Sequence, residues 1–237
     1  NYPNDRYWSD WQQECKLADR ILVNSNWSAQ ALEKTGIKPA KIITVPLAYQ
    51  REQNNSEFTR IYPDQFTKQR PLKVLFLGQI IIRKGIAEIL DAITLLTDFP
   101  IEFWFVGQIK VNLPRFAINH PQIKWLGEVS RSLTYYYYQQ ADVFLLPTHS
   151  DGFGLTQLEA QAWKLPLITS QFCGSVVKDQ INGLILPQIT AKAIVNSITF
   201  CLENPHKLAE LSHGSTEIVS QFTLEQLSQK IADINIY

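Results

Sequence analysis

Short apolar runs alternate with apolar positions spaced three and four apart along most of this chain. The runs at residues 72–77, 101–106, 123–126, 143–146, 167–169 and 184–186 read as strands. The first is nearly continuous, as expected when both faces of a parallel sheet are covered. Ile86, Ile89, Leu90, Ile93 and Leu96 mark a helix, and further helices are predicted at about 130–140, through Leu155, Leu158 and Ala162, at 190–202 and at 206–221. This alternation predicts an α/β fold, a doubly wound, mostly parallel sheet of about six strands with helices on both faces. A smaller unit precedes it. Residues 7–17 read as a helix and 21–23 as a strand. Asn24-Ser25-Asn26 then caps a helix over 27–34 that Gly36 closes, and 42–45 form a strand ended by Pro46. One strand–helix–strand unit is too small to have its own core. From 48 to 69 the chain turns polar, with Pro63 and Pro71 as punctuation, so a linker and a domain boundary fall there. Leu224, Leu227, Ile231 and Ile234 predict a last helix, packed on this sheet or on a neighbouring domain.

Ligands of such sheets lie beyond the carboxyl ends of the strands, where Gly78, Gly107, Gly127 and the loop from Asp151 to Gly154 all fall. PTHSDGFGLTQLEAQAWKLPLITS, at 147–170, reads strand end, loop, helix, strand. A glycine loop that feeds a helix presents backbone N–H groups at the positive end of a dipole and favours an anion, most simply a phosphate. Asp151 and Glu159, eight positions apart, can face one crevice, where sugar hydroxyls suit them as donors. Thr156 to Glu159 also fits a capping box, with Asp151 capping the loop, and spacing leaves both readings open. GQIIIRKG, at 78–85, follows the first strand and sets Arg83 and Lys84 at a helix start. Two cations are unfavourable there unless an anion lies between them; a solvated surface pair is the other reading.

Composition narrows the chemistry. The 237 residues are 45% hydrophobic, with Lys+Arg 22 against Asp+Glu 22, so no electrostatic pull toward nucleic acid or an acidic membrane exists. No apolar run reaches membrane-spanning length. Cys15, Cys173 and Cys201 are far apart and outside any CxxC pattern, which predicts reduced thiols, a cytoplasmic setting and no metal site. The Asn-x-Ser triplets at Asn26 and Asn54 read as chance. No methionine occurs, even at position 1, which suggests a fragment. The absence of GxGxxG, GxxxxGK[ST] and DxD argues against a nicotinamide or flavin fold, a Walker-type nucleotidase and a metal-held diphosphate.

Taken together, these motifs resemble the group 1 (family 4) glycosyltransferases, retaining enzymes of the GT-B fold. ADRILVNS at 18–25 through KIITVP at 41–46 is similar to the last unit of that family's N-terminal domain. Leu77-Gly78 with Arg83-Lys84-Gly85 is similar to its phosphate-binding turn. Residues 147–170 match its EGFG…LEA…PVI stretch, with Asp151 and Glu159 as the E-x7-E pair. Val177-Lys178-Asp179 and Asn182-Gly183-Leu184 match the loop that follows.

The resemblance implies a Rossmann-like donor-binding half of a GT-B enzyme. It assigns residues 1–47 to the end of the acceptor-side domain, 48–70 to a linker, 71–222 to the nucleotide-sugar domain, and 223–237 to a helix able to pack on the N-terminal domain. Lys84 with Arg83 would hold the donor diphosphate, and Glu159 the ribose hydroxyls, as the catalytic set. Gly78 and Gln79 would lie in the phosphate turn and Val129, beside Glu128, against the base. Asp151 would face the sugar, and the backbone from Gly152 through Phe153, Gly154 and Leu155 to Thr156 would support sugar and phosphate. The implied reaction moves a hexose from a nucleoside diphosphate sugar to a saccharide or lipid acceptor, with retention and without metal or other cofactor. Any peripheral membrane contact would come through the rest of the N-terminal domain. An inactive sugar-nucleotide-binding module, and an epimerase or phosphorylase of the same fold, are the alternatives. The chain departs from the family pattern at Asp151, shorter than the usual glutamate, and at Gln79, where an arginine is frequent. It also departs at Lys164 and Gln180, where glycine is common, and at Gly174-Ser175 in place of Pro-Glu.

Overall fold

The computed structural model describes residues 5–50 and 57–234. The chain start, the asparagine-rich 51–56 with its Asn-x-Ser triplet, and the last three residues of the final helical pattern lie outside the described residues.

After helix α1 (Asp5–Leu17), β1 (Ile21–Val23) pairs in parallel with β2 (Ile42–Thr44) across α2 (Asn26–Lys34). Ser25 caps α2 as its sequence predicts, accepting from the Ser28 amide at 3.1 Å. The larger sheet contains β3 (Leu72–Leu77), β4 (Ile101–Val106), β5 (Ile123–Gly127), β6 (Val143–Leu146), β7 (Leu167–Thr169) and β8 (Gly183–Ile185). Its order is β5-β4-β3-β6-β7-β8, with every neighbouring pair parallel. Helices α3 (Ile86–Leu95), α4 (Arg115–Ile118), α5 (Thr134–Gln140), α6 (Thr156–Ala162), α7 (Ala191–Glu203), α8 (Pro205–Val219) and α9 (Leu224–Ala232) complete it. The four-residue α4 is too short to leave a periodic signal in sequence, and the predicted helix at 130–140 opens as a 3₁₀ turn over Arg131–Leu133.

Side chains alternate between two cores, as the period of two in a strand demands. Val74, Phe76, Phe103, Phe105, Val143 and Leu145 point into one face. Leu75, Trp104, Val106, Phe144 and Leu146 point into the other, against Tyr138, Ala160 and Trp163 of the α5–α6 side. Burying large apolar side chains on both faces, at roughly 1.5–3 kcal/mol each, makes this sheet the stable body of the chain.

The stretch 58–70, expected as linker, packs on that body. Phe66 is in the core and the Phe58 ring meets Trp163 edge-on at 5.6 Å. Arg60 spreads its guanidinium over the carbonyls of Tyr138, Gln139, Ala141, Trp163 and Lys164, where α5 and α6 end. Helix ends leave orphan carbonyls, and one arginine supplies the donors. A polar composition reads as solvent exposure in sequence, but here the polar atoms are used internally. In α9 no described residue is fully buried, and no described helix is long and apolar enough to cross a membrane.

Candidate active site

β3 and β6 lie side by side through Val74–Val143 and Leu75–Phe144, and the chain leaves them toward opposite edges of the sheet. Such a reversal opens a crevice beyond the strands' carboxyl ends. The loops leaving these two strands are the two motifs singled out in sequence. From β3 the chain passes Gly78, makes a 3₁₀ turn over Ile82–Lys84, and enters α3 through Gly85 at φ 77°. A Cβ on Gly85 would sit 2.1 Å from the carbonyl oxygen of Pro147, so only glycine lets the loops meet. Arg83 and Lys84 therefore stand in the turn before α3, not at its first residues, which corrects the sequence expectation.

Several contacts stitch the loops together. The His149 amide donates to the Arg83 carbonyl at 2.9 Å, and Thr148 Oγ1 to the same oxygen at 3.1 Å. His149 Nε2 lies 2.8 Å from Glu88 Oε1. Arg83 donates to the Ser150 carbonyl, and Lys84 Nζ pairs with Asp151 Oδ2. The anion that the paired cations called for is, in this structure, Asp151 itself. Both side chains of that pair are mostly sheltered, at 15% and 16% exposure.

Beyond Asp151 the loop divides. Gly152 is exposed beside Asn24 and Ser28 of the N-terminal unit. Phe153, expected beside the donor, is buried with Leu158, Val176 and Ile218, so only its backbone faces the loop, and its carbonyl is taken by Gln157 Nε2 and the Gly174 amide. Gly154 turns the chain at φ 77°, Leu155 is exposed, and Thr156 heads α6. The capping box does not form, since Thr156 lies inside α6 and the Glu159 amide donates to the Leu155 carbonyl at 3.1 Å. Glu159 instead accepts from the Tyr138 hydroxyl at 2.7 Å through Oε2, and its Oε1 lies 4.0 Å from Arg131 Nη2. Burial, reinforced by Glu159, raises the Tyr138 hydroxyl well above the usual tyrosine range, so it stays a proton donor. Buried Gln161 and Asn182 bond to each other behind α6 at 2.7 Å, anchoring the loop before β8.

Two cavities open on this face. One of about 430 Å³ is lined by Glu159, Tyr138, Arg131, Leu155 and residues Tyr49 and Gln50. One of about 190 Å³ is lined by Gly78, Gln79, Gly107, Glu128, Val129 and Thr134. Thr134 borders both, and the larger alone is within the size range of small-molecule sites. The structure thus brings Arg83, Lys84 and Asp151 together, and sets Gly78, Gln79 and Val129 around the smaller space. Leu155 and Glu159 face the larger. Tyr138 and Arg131 carry no local signal of a site in sequence, because their contact with Glu159 spans the packing of two helices.

The model of the family described as glycosyl transferases group 1 matches residues 58–217. The chain belongs to that family. Among curated relatives, the capsular polysaccharide biosynthesis glycosyltransferase CapM of Staphylococcus aureus is 23% identical over 66% of this chain and 43% of its own length. The N,N'-diacetylbacillosaminyl-diphospho-undecaprenol alpha-1,3-N-acetylgalactosaminyltransferase of Campylobacter jejuni is 24% identical over 91% of this chain and 59% of its own length. The chain thus spans 43% and 59% of these two relatives. Among solved structures, Anabaena HepE in complex with UDP superposes with a TM-score of 0.72 at 18% identity, over 92% of this chain and 64% of that one. At that identity the likeness supports the fold, a GT-B glycosyltransferase architecture.

Proposed function

We propose that this chain is the donor-binding half of a cytoplasmic, retaining, metal-independent glycosyltransferase that moves a hexose from a nucleoside diphosphate sugar to a saccharide or lipid acceptor. One observation carries this reading: two cations and an acid from the loops of β3 and β6 meet at the reversal of the strand order, beside cavities lined by Val129 and Glu159. In this reading residues 1–47 are the end of the acceptor-side domain, 48–70 link it to the donor domain, and α9 packs on the acceptor side.

Bond cleavage places growing negative charge on the departing diphosphate. Arg83 and Lys84 are the groups that meet it, an electrostatic contribution often worth several kcal/mol, and one that two side-chain cations can make without a divalent ion. A diphosphate on Lys84 displaces Asp151, and the freed carboxylate then accepts hydroxyls of the sugar. Glu159 takes the ribose, and Val129 borders the base. HepE is crystallised with UDP, and a ligand of that class is the one proposed here.

Calorimetry with UDP, GDP and ADP and their glucose conjugates, with and without EDTA, tests the donor site. One base should bind selectively, raise the melting temperature by mass action and be indifferent to EDTA. Binding that vanishes with EDTA overturns metal independence, and an inverted anomeric centre in the product of the complete enzyme overturns retention.

A further inference from the structure

We propose that Tyr138 is a positioning residue that sets the Glu159 carboxylate for the two neighbouring hydroxyls of a ribose, so that the site selects ribonucleotides over 2′-deoxyribonucleotides. This rests on the assignment of Glu159 to the donor ribose.

Tyr138 is 1% exposed, with its ring packed toward Phe144 at 6.0 Å, and its hydroxyl donates to Glu159 Oε2 at 2.7 Å. Both partners are held from behind. Arg60 Nη2 donates to the Tyr138 carbonyl at 2.7 Å and to the Trp163 carbonyl at 2.9 Å, tying the end of the helix that carries Tyr138 to the end of the helix that carries Glu159. The hydroxyl therefore has one place to go, and Glu159 Oε2 is there. A carboxylate offers about four acceptor positions. Tyr138 takes one, and Arg131, at 4.0 Å and 86% exposed, adds little. Glu159 and Tyr138 both line the 430 Å³ cavity, so the carboxylate can reach a ligand there. A carboxylate pinned at one oxygen keeps one rotamer, which is what two adjacent hydroxyls require and a single hydroxyl does not.

The test measures dissociation constants by calorimetry for UDP, GDP and ADP and their 2′-deoxy forms, on this chain and on Tyr138→Phe, Glu159→Ala and the double variant. For the base that binds, Tyr138→Phe should weaken the ribonucleotide about tenfold, as expected for one charge-assisted hydrogen bond, and leave the deoxy form within about threefold. The double variant should bind no more weakly than Glu159→Ala. The ribo-to-deoxy ratio is taken within one preparation, so a smaller folded fraction in a variant cancels. If Glu159→Ala erases the preference and Tyr138→Phe keeps it, the hydroxyl only fills the core and the proposal falls. If Glu159→Ala keeps it too, the ribose assignment itself is wrong. If none of the nucleotides binds, the donor site is wrong and takes this proposal with it.

Discussion

The two strands at the centre of the sheet carry an acid–base pair at each end, and the pairs behave as opposites. At the amino end, Arg70 before β3 meets Asp142 before β6 through two hydrogen bonds of 2.7 and 2.6 Å. Asp142 also accepts from the Lys73 amide at 2.9 Å and is nearly buried. Its hydrogen bond is the main cause that raises the Arg70 pKa above the ordinary arginine value. At the carboxyl end, Lys84 after β3 meets Asp151 after β6 through a single contact between glycine-bearing loops. The planar fork of arginine saturates a carboxylate, whereas an ammonium is a point charge that a phosphate can take over. Equal charges on the same strands thus make a fastening at one end and an exchangeable contact at the other.

The largest effect should separate the ends outright. Lys84→Ala should weaken nucleoside diphosphate binding by about two orders of magnitude, comparable to losing one oxyanion donor, while costing roughly 1–3 kcal/mol of stability because it strands the mostly sheltered Asp151. Calorimetry beside a urea titration reads both. Undiminished affinity would show that the carboxyl-end pair is a fastening too. Next, Asp142→Ala should cost about 3 kcal/mol in a urea titration, because it strands Arg70 and the Lys73 amide, and should leave nucleotide affinity within about twofold. A large affinity loss without destabilisation would reverse the comparison.

Alkali should act on both ends alike. Burial pushes the Cys173 thiol near the Asp151 loop up to about 11 and the Cys201 thiol up to about 12, from 9.0, and raises the Tyr62 hydroxyl beside Asp142. These groups are favoured protonated in the fold. Their contribution is complete below about pH 9, where the unfolded thiols titrate, and is lost as pH rises toward 11 and 12. Stability should fall by about 1 kcal/mol per thiol at pH 10. A flat urea midpoint from pH 8 to 10.5 would contradict the burial of both. The smallest effect lies away from either pair. Gln180 is exposed and left-handed at φ 62°, so Gln180→Gly should stabilise by about 0.5–1 kcal/mol, seen as a slightly higher melting temperature. No gain would mean that side-chain contacts at Gln180 outweigh the strain.

Much of this molecule is legible along the chain. The six strands appear near their predicted positions, because a run such as 143–146 is apolar at every residue and a doubly covered strand needs that. The cap at Ser25 is legible for a similar reason, since its partner is three residues away. Lys164 and Gln180, noted in sequence as replacing common glycines, are the two non-glycine residues with positive φ among those described. Local pattern left two readings open where a residue had two local uses. Glu159 fitted a capping box, and only Tyr138, brought from another helix, shows where its oxygens go. Phe153 keeps its backbone in the candidate loop while its ring packs in the core, a division that no local pattern announces. Residues 58–70 looked like linker because arginine and tyrosine are polar in composition whether their partner is water or a buried carbonyl.

By itself, then, the order of residues determined the element types, the parallel class of the sheet and the two chemically loaded loops, all of which follow from spacings shorter than a helix. What it left open was which loop faces which. Lys84 and Asp151 are 67 positions apart, and they meet because β6 takes the open side of β3 after the chain has built β4 and β5 on the other. Strand order is chosen by the packing of whole faces, a sum over many residues that no local pattern carries. Only the folded sheet decides that one acid–base pair becomes a fastening and the other a place for a ligand.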